Sequence, residues 1–290
     1  MVFSASGRTE IGGNHTDHNR GKVLAAAVSL DVIAFVIPTD DGTITVKSEG
    51  FPQDTVDTAD LSVCEKDKKT SAALIRGVAD GMSRNGFSVG GFKAYTTSNV
   101  LKGSGISSSA AFEVLIGTIL SHLYNGGNVS AVKIAQIAQY AENVHFGKPS
   151  GLMDQMASSV GGFIEIDFES PEKPIIRSID YDFAASGHSL CIVDTKGNHA
   201  DLTPEYAAIP KEMKSVAEFF GKSELRDITP EQLMENVGAV RQSCGDRAVS
   251  RAMHFFDENA RVDREASALD SGDFKAFLRE VTASGNSSFK

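Results

Sequence analysis

Val23 to Ile37 reads VLAAAVSLDVIAFVI, a run rich in β-branched and small apolar residues whose weak alternation predicts a strand buried on both faces. Asp40-Asp41-Gly42 is a turn signal, and the clean alternation of Thr43 to Lys47 predicts the second arm of a hairpin. Residues 52–69 are polar and acidic and read as loop. Ala73, Leu74, Val78 and Met82 recur at helical spacing within 70–84, and Gly90 to Thr97 predicts another strand. One helix is expected from Phe112 to Tyr124, ended by Gly126-Gly127, and another from Ala131 to about Phe146, capped by Ser130. Gly147 to Gly151 breaks that helix, and 152–159 suits a short one. Residues 163–166 and 190–193 read as short strands. After about Thr203 the pattern is helical, over 204–220, 230–258 and 263–281. Strands mixed with helices in front and helices behind predict an α+β chain that changes character near residue 180.

Composition narrows the function classes. The 290 residues suffice for one large domain or two ordinary ones, and 41% hydrophobic residues exclude a disordered chain. A net charge of −10 without a basic run argues against nucleic-acid binding and against an anionic membrane surface. No stretch approaches the roughly 18 apolar residues of a membrane span. The N-terminus has neither the basic lead nor the apolar core of a signal peptide. Cys64, Cys191 and Cys244 are odd in number, form no Cys-x-x-Cys pair and read as buried, inert thiols. Together these features predict a soluble cytoplasmic protein with no nucleic-acid or membrane partner.

Three segments carry chemistry. In Gly103-Ser104-Gly105-Ile106-Ser107-Ser108-Ser109-Ala110-Ala111, glycines allow close approach of backbone to an anion. The helix that follows offers free N–H groups and a positive dipole end, and a hydroxyl can ligate Mg²⁺. The plain alternative is a helix start with serine caps. The second segment, Gly7-Arg8-Thr9-Glu10-Ile11-Gly12-Gly13-Asn14-His15-Thr16-Asp17-His18-Asn19, reads as a glycine-containing turn before a strand. Its hydrogen-bonding side chains suit a polyhydroxylated ligand better than a metal, because no further Cys/His cluster completes a ligand shell. The third runs from Glu142, near the end of a helix, through Gly151 to Asp154-Gln155. A carboxylate beside a glycine break is a candidate for catalysis, against the plain reading of a solvated surface group.

In this order the segments resemble the galactokinase branch of the GHMP small-molecule kinases. The signature around Arg8, the Ser107-Ser108-Ser109-Ala110-Ala111 loop and Gly151-Leu152-Met153-Asp154-Gln155 carry the likeness. His199 to Tyr206 resembles the segment ending in a sugar-contacting tyrosine, and Ser284-Gly285-Asn286-Ser287-Ser288 resembles a later helix motif. The resemblance implies the GHMP kinase fold: a nucleotide-binding domain over 1–180, with a ribosomal S5 domain 2-like core, and part of the helical C-terminal domain over 181–290. It implies ATP-dependent phosphorylation of galactose or a related sugar at the anomeric hydroxyl, by a monomer. Asp154 would be the base or orienting carboxylate and Arg8 would hold charge near the transferred group. Residues 103–109, that is Gly103, Ser104, Gly105, Ile106, Ser107, Ser108 and Ser109, would wrap the ATP phosphates. Ser109 and Glu142 would hold Mg²⁺. Arg8, Asn14, His15, Asp17, Gly151, Asp154 and Tyr206 would contact the sugar.

Departures sharpen these expectations. Asn14 stands where the family usually has Glu, and His18 where it has Tyr, so selection at C6 of the sugar is expected to loosen and a galacturonate kinase becomes an alternative. The chain ends before the family's late glycine-rich motif and its lead-in is short, so a truncated chain of weak activity is expected. A non-catalytic sugar sensor on the same scaffold is the rival class, disfavoured by the intact serine loop. A mevalonate or homoserine kinase is disfavoured by His15-Thr16-Asp17.

Overall fold

The structure, a computed structural model, describes residues 1–100, 103, 105–193 and 203–289, with side chains left out over 203–207. Two compact units emerge: Met1–Thr9 with Ala27–Gly161, and Glu10–Ala26 with Gly162–Lys290. The expected cut near residue 180 differs from this division. Residues 10–26 group with the later half of the chain, and the boundary falls at Gly161–Gly162. The reason lies in two long strands, β1 (Val2–Gly12) and β2 (Lys22–Thr39), which each contribute to both units. β1 was not anticipated, because the Arg8 segment reads as a turn.

In the first unit β2 lies beside β5 (Gly91–Ser98), followed by β3 (Thr43–Ser48) and β4 (Gln53–Asp57), in the order β4-β3-β5-β2. The hairpin expected from Asp40-Asp41-Gly42 does not form. β2 pairs antiparallel with β5, Val32 opposite Ser98 through Thr39 opposite Gly91, and β3 pairs parallel with β5 on its other side. The link from β2 to β3 therefore crosses the end of β5, and Gly91 makes room for it. A Cβ at Gly91 would meet Thr39 Oγ1 at 2.7 Å and the Thr43 backbone nitrogen at 2.8 Å. The polar 52–69 segment, read as loop, supplies the edge strand β4, where a polar sequence suits an exposed edge.

Over 32–37 β2 alternates: Val32, Ala34 and Val36 are buried, while Phe35 and Ile37 are exposed. The buried positions, with Ile44, Val46, Phe92 and Ala94, pack against Ile75, Val78 and Met82 of α1 (Ser71–Arg84) and Leu115, Ile116 and Ile119 of α2 (Ser108–Tyr124). α3 (Ala131–Tyr140) begins at Ser130, whose side chain accepts from Lys133 N, as expected. It passes into a π-helical turn, Ala141–Phe146, and α4 follows at Met153–Val160. Gly77 of α1 meets this turn closely, since a Cβ there would lie 2.7 Å from Ala141 Cα. Asp80 Oδ2 pins it by accepting from Tyr140 Oη at 2.6 Å and contacting His145 Nε2 at 3.0 Å.

In the second unit Lys22–Ala26 of β2 pair with β6 (Phe163–Asp167), which pairs with β7 (Ile175–Ile179). The helices are α5 (Thr203–Phe219), α6 (Pro230–Glu235), α7 (Val237–Cys244), α8 (Asp246–Asp270) and α9 (Phe274–Phe289). The single helix expected over 230–258 is broken at Asn236 and at Gly245, whose φ of +89° ends the turn. Leu190–Val193, read as a strand, has no regular structure, and β7 was not anticipated. Cys191 is exposed and Cys64 and Cys244 are partly so, which corrects the reading of three buried thiols. Phe255, Val216 and Leu225 centre one apolar cluster, and Leu24, Val262 and Phe277 another. Among the described residues no helix is long and apolar enough to cross a membrane.

Gly91→Ala should lower stability by about 1–3 kcal/mol, the usual cost of overpacking. An alanine in place of a strand glycine is otherwise favourable. The urea midpoint of the variant checks this; an unchanged or higher midpoint would refute the crossing role of Gly91.

Candidate active site

The first unit gathers Arg8, Gly105, Ser107 and Asp154. Arg8 lies on β1, where Gly7 lets the strand run against the loop before α2: a Cβ at Gly7 would sit 2.9 Å from Ile106 O. Arg8 N donates to that same carbonyl at 3.1 Å. The Arg8 side chain then donates from Nε to Asp154 Oδ1 at 2.7 Å, from Nη2 to Asp154 Oδ2 at 2.6 Å and to Ser107 Oγ at 3.1 Å, and from Nη1 to Gly105 O at 2.7 Å. Ser107 Oγ donates to Asp154 Oδ2. Burial alone would raise the Asp154 carboxyl, but hydrogen bonds from Arg8 and Ser107 and the Arg8 charge outweigh it and hold it below its ordinary value. Asp154 is thus an ionised, oriented acceptor at neutral pH.

The loop before α2 bends through left-handed backbone at Gly103 (φ +79°), Gly105 (φ +81°) and Ser107 (φ +59°). The simple serine-cap reading fails here: Ser107 occupies the N-cap position, yet its side chain makes no cap hydrogen bond and turns to Arg8 and Asp154 instead. The first turn of α2 is left without a side-chain cap, a geometry that suits an anion. Ile106 buries its side chain in the core and anchors the loop. Ser108 and Ser109 open α2; Ser104 lies outside the described residues.

Ser109 Oγ donates to Glu142 Oε1 at 3.1 Å. Glu142 sits near the end of a helix as expected, on the π-helical turn that follows α3, and at 2% exposed it is not solvated at the surface. Its Oε1 also accepts from Lys148 Nζ at 2.8 Å and its Oε2 from Gln155 Nε2 at 2.8 Å. The same Gln155 nitrogen donates to Glu113 Oε2 at 3.2 Å. Burial and the neighbouring Glu142 push Glu113 well above the usual carboxylate range. Among the described residues no group of three His, Cys, Asp or Glu converges as a self-sufficient metal site. One hydroxyl and one carboxylate nonetheless fit Mg²⁺, a hard cation that completes its shell with water and phosphate oxygens. The Lys148 ammonium already occupies a cation's place beside Glu142. The sequence reading gave no role to Glu113, Lys148 or Gln155, although Gln155 belongs to the third segment and stands next to Asp154.

The second unit carries the rest of the Arg8 segment. Asn14 and His15 line a cavity of about 780 Å³ that also includes Met213, Arg251, His254 and Asp257. Desolvation, then the nearby His18, His254 and Arg251, lower His15 to about 4, so its imidazole is neutral and able both to donate and to accept. Asp17 lies in a 3₁₀ turn, where its Oδ1 accepts from His18 N at 2.9 Å. Asp17 does not line the cavity. Gly151, half-buried, precedes α4 in the first unit. The Tyr206 side chain and residues 199–202 lie outside the described residues.

Comparison with known proteins bears on this geometry. The family model "GHMP kinases N terminal domain" matches residues 73–162, and "Galactokinase galactose-binding signature" matches residues 1–38. A galactokinase of Streptomyces coelicolor is 31% identical over 294 residues, an alignment covering 100% of this chain and 74% of that protein. The crystal structure of Lactococcus lactis galactokinase complexed with galactose superposes with a TM-score of 0.79 at 24% identity, over 99% of this chain and 74% of that one. Streptococcus pneumoniae phosphomevalonate kinase, in complex with phosphomevalonate and AMPPNP, gives 0.62 at 11% identity, over 99% and 79%. The fold is that of the GHMP kinases.

One buried acid in the second unit has a measurable signature. Glu265 is fully buried, and among the described residues neither of its oxygens has a hydrogen-bond partner. Desolvation, then Glu258, push it up to about 8, against the opposing charge of Arg261. The folded state therefore holds this proton more tightly than the unfolded state, and stability should fall as pH rises from about 4.5 to about 8. Glu265→Gln should flatten that slope, retaining more of its pH 6 stability at pH 9 than wild type does. Urea unfolding of both proteins at the two pH values checks this; parallel losses would show that Glu265 is not protonated in the fold.

Proposed function

The chain belongs to the galactokinase family of the GHMP kinases, and from this premise we propose that it transfers the terminal phosphoryl group of ATP to the anomeric hydroxyl of galactose. The observation that carries the reading is the Arg8–Asp154–Ser107 cluster at the uncapped start of α2. Phosphoryl transfer needs positioning and charge stabilisation more than covalent chemistry. An ionised Asp154 accepts a hydrogen bond from the attacking hydroxyl and takes its proton as the new P–O bond forms and the bond from the terminal phosphorus to the bridging oxygen breaks, releasing ADP. With its carboxyl held low, Asp154 is a weak base, so orientation and late proton acceptance are its main work. Arg8 keeps Asp154 fixed and holds positive charge beside the loop at Gly105. Gly103 to Ser109 cradle the phosphates through the first turn of α2.

Ser109 and Glu142 hold Mg²⁺ in this reading, and the metal supplies charge neutralisation on the phosphates when bound. Asn14, His15, Asp17, Gly151 and Tyr206 contact the sugar, with neutral His15 suited to hydroxyls. The rival reading as a non-catalytic sensor is disfavoured by the intact Ser107-Ser108-Ser109-Ala110-Ala111 run. The enzyme is inferred to act in the cytoplasm, where ATP is supplied, and as the monomer that the family resemblance implies.

The deciding experiment offers ATP and Mg²⁺ with galactose, 6-deoxygalactose, galacturonate and mevalonate, and detects the sugar 1-phosphate. Galactose should be phosphorylated, and Asp154→Ala should lower kcat by about 10²–10⁴ with a smaller change in sugar affinity. Turnover of mevalonate alone, or a fully active Asp154→Ala, would overturn the reading. Ser109→Ala should raise the Mg²⁺ concentration needed for half-maximal rate and leave galactose binding in place, as measured by calorimetry. An unchanged Mg²⁺ requirement would remove Ser109 from the metal.

A further inference from the structure

The turn that carries Asn14 and His15 is closed by Thr16, whose N donates to Gly13 O at 3.1 Å and whose Oγ1 donates to it at 2.8 Å, and it is held from outside as well. Gly13 has φ +83° and His15, a residue with a side chain, has φ +62°, a conformation that persists only where surrounding contacts over-determine it. Beyond those of Thr16, such contacts come from α8 and α9, in the same unit. Glu258 of α8 is fully buried. Its Oε2 accepts from Gly13 N at 3.2 Å, from Asn14 N at 3.4 Å and from Ser284 Oγ at 2.8 Å, while its Oε1 pairs with Arg261. One helical turn earlier, His254 contacts Asn14 O through Nε2 at 3.0 Å and Ser287 Oγ through Nδ1 at 2.8 Å. Asn14 Nδ2 donates to Ser288 Oγ at 2.8 Å. The backbone N–H, the carbonyl and the side-chain amide of Asn14 are thus all tied to two helices more than two hundred residues later in the chain.

We propose that Glu258 is the positioning residue of the sugar-binding turn, fixing His15 in its left-handed conformation by holding the Gly13 and Asn14 amides, with Ser284, Ser287 and Ser288 of α9 as its struts. This rests on the reading of His15 and Asn14 as sugar contacts. The charge matters as well as the shape. Two successive N–H groups aimed at one oxygen make an anion-binding concavity, which a carboxylate fills and a neutral amide fills poorly. A glutamine at 258 that offers its oxygen to Gly13 and Asn14 turns its NH₂ toward Arg261, so one side of the arrangement is left unpaired. The two glycines belong to the same device: the carboxylate of Glu265 lies against Gly12 where a Cβ would be, and a Cβ at Gly13 would meet Val23 Cα at 2.7 Å. The serines of the 284–288 motif, which the catalytic reading leaves without a role, gain one here.

The test compares wild type, Glu258→Gln and the double variant Ser284→Ala/Ser288→Ala. Amide hydrogen exchange over residues 11–18, in the absence of sugar, should speed up at least tenfold in Glu258→Gln. Galactose Kd by calorimetry and galactose KM should rise about tenfold or more, with the KM for ATP unchanged within twofold and kcat within threefold. The double variant should show the same split with a smaller rise, and it decides the matter if Glu258→Gln does not fold. Unchanged exchange over 11–18, or a galactose Kd equal to wild type in a folded variant, would overturn the proposal, as would equal losses in the galactose and ATP constants. Faster exchange in a protein whose wild type binds no galactose would instead leave Glu258 as the holder of the turn and overturn the galactose reading.

Discussion

The two-point ion pair of Arg8 and Asp154 is the constraint on which the first unit's chemistry depends. It joins residues 146 positions apart, at 2.7 and 2.6 Å, and both partners are mostly shielded from water. Such a pair is weak evidence for stability, but removing one partner strands the other, at a cost of about 3–5 kcal/mol. Its value here is geometric. Arg8 reaches the Gly105 carbonyl and the Ser107 hydroxyl from the same guanidinium, so the strand, the glycine-serine loop and the start of α4 share one anchor. Arginine suits this position because its planar fork meets two carboxylate oxygens at once; a lysine would satisfy one.

A second layer of buried acids stands behind this cluster. Glu142 has a neighbour in Glu113, and the single amide of Gln155 keeps the two carboxyl groups apart by donating to both. The raised Glu113 leaves one negative charge, not two, beside Ser109 and Lys148. The π-helical turn is part of the same economy. A regular α-helix through 141–146 would aim Glu142 elsewhere, and the close approach of Gly77 together with Asp80 under Tyr140 and His145 makes the wider turn possible. The second unit repeats the pattern with different residues: Glu265 lies against Gly12, Glu258 accepts from Gly13 N, and Glu265 is pushed up while both acids are buried.

Much of this was legible in the sequence where the signal is local. Apolar spacing together with caps and glycine stops located β5, α1, α2, α3 and α4 within a few residues. Misreadings fell where the partner is distant. Thr43–Lys47 is a hairpin arm, but its hairpin partner is β4 after it and not β2 before it, and on its other side lies β5, some fifty residues on. β1 hides in a segment whose polar side chains suggest a turn, since hydrogen bonding to β2 leaves no trace in composition. Leu190–Val193 has strand composition, yet among the described residues it pairs with no strand.

The sequence by itself determined which groups are available for chemistry: Arg8, the Ser107–Ser109 hydroxyls, Glu142 and Asp154 are covalent facts, and their order along the chain is distinctive enough to mark the family. Tertiary structure alone decided what those groups are. Whether Ser107 caps a helix or holds Asp154, whether Asp154 is ionised, whether Glu113 carries a proton and whether His15 is neutral depend on desolvation and on charges brought within a few ångströms by folding. Those terms fall off over distances much shorter than the spans of chain that separate the partners, so no local window of sequence contains them.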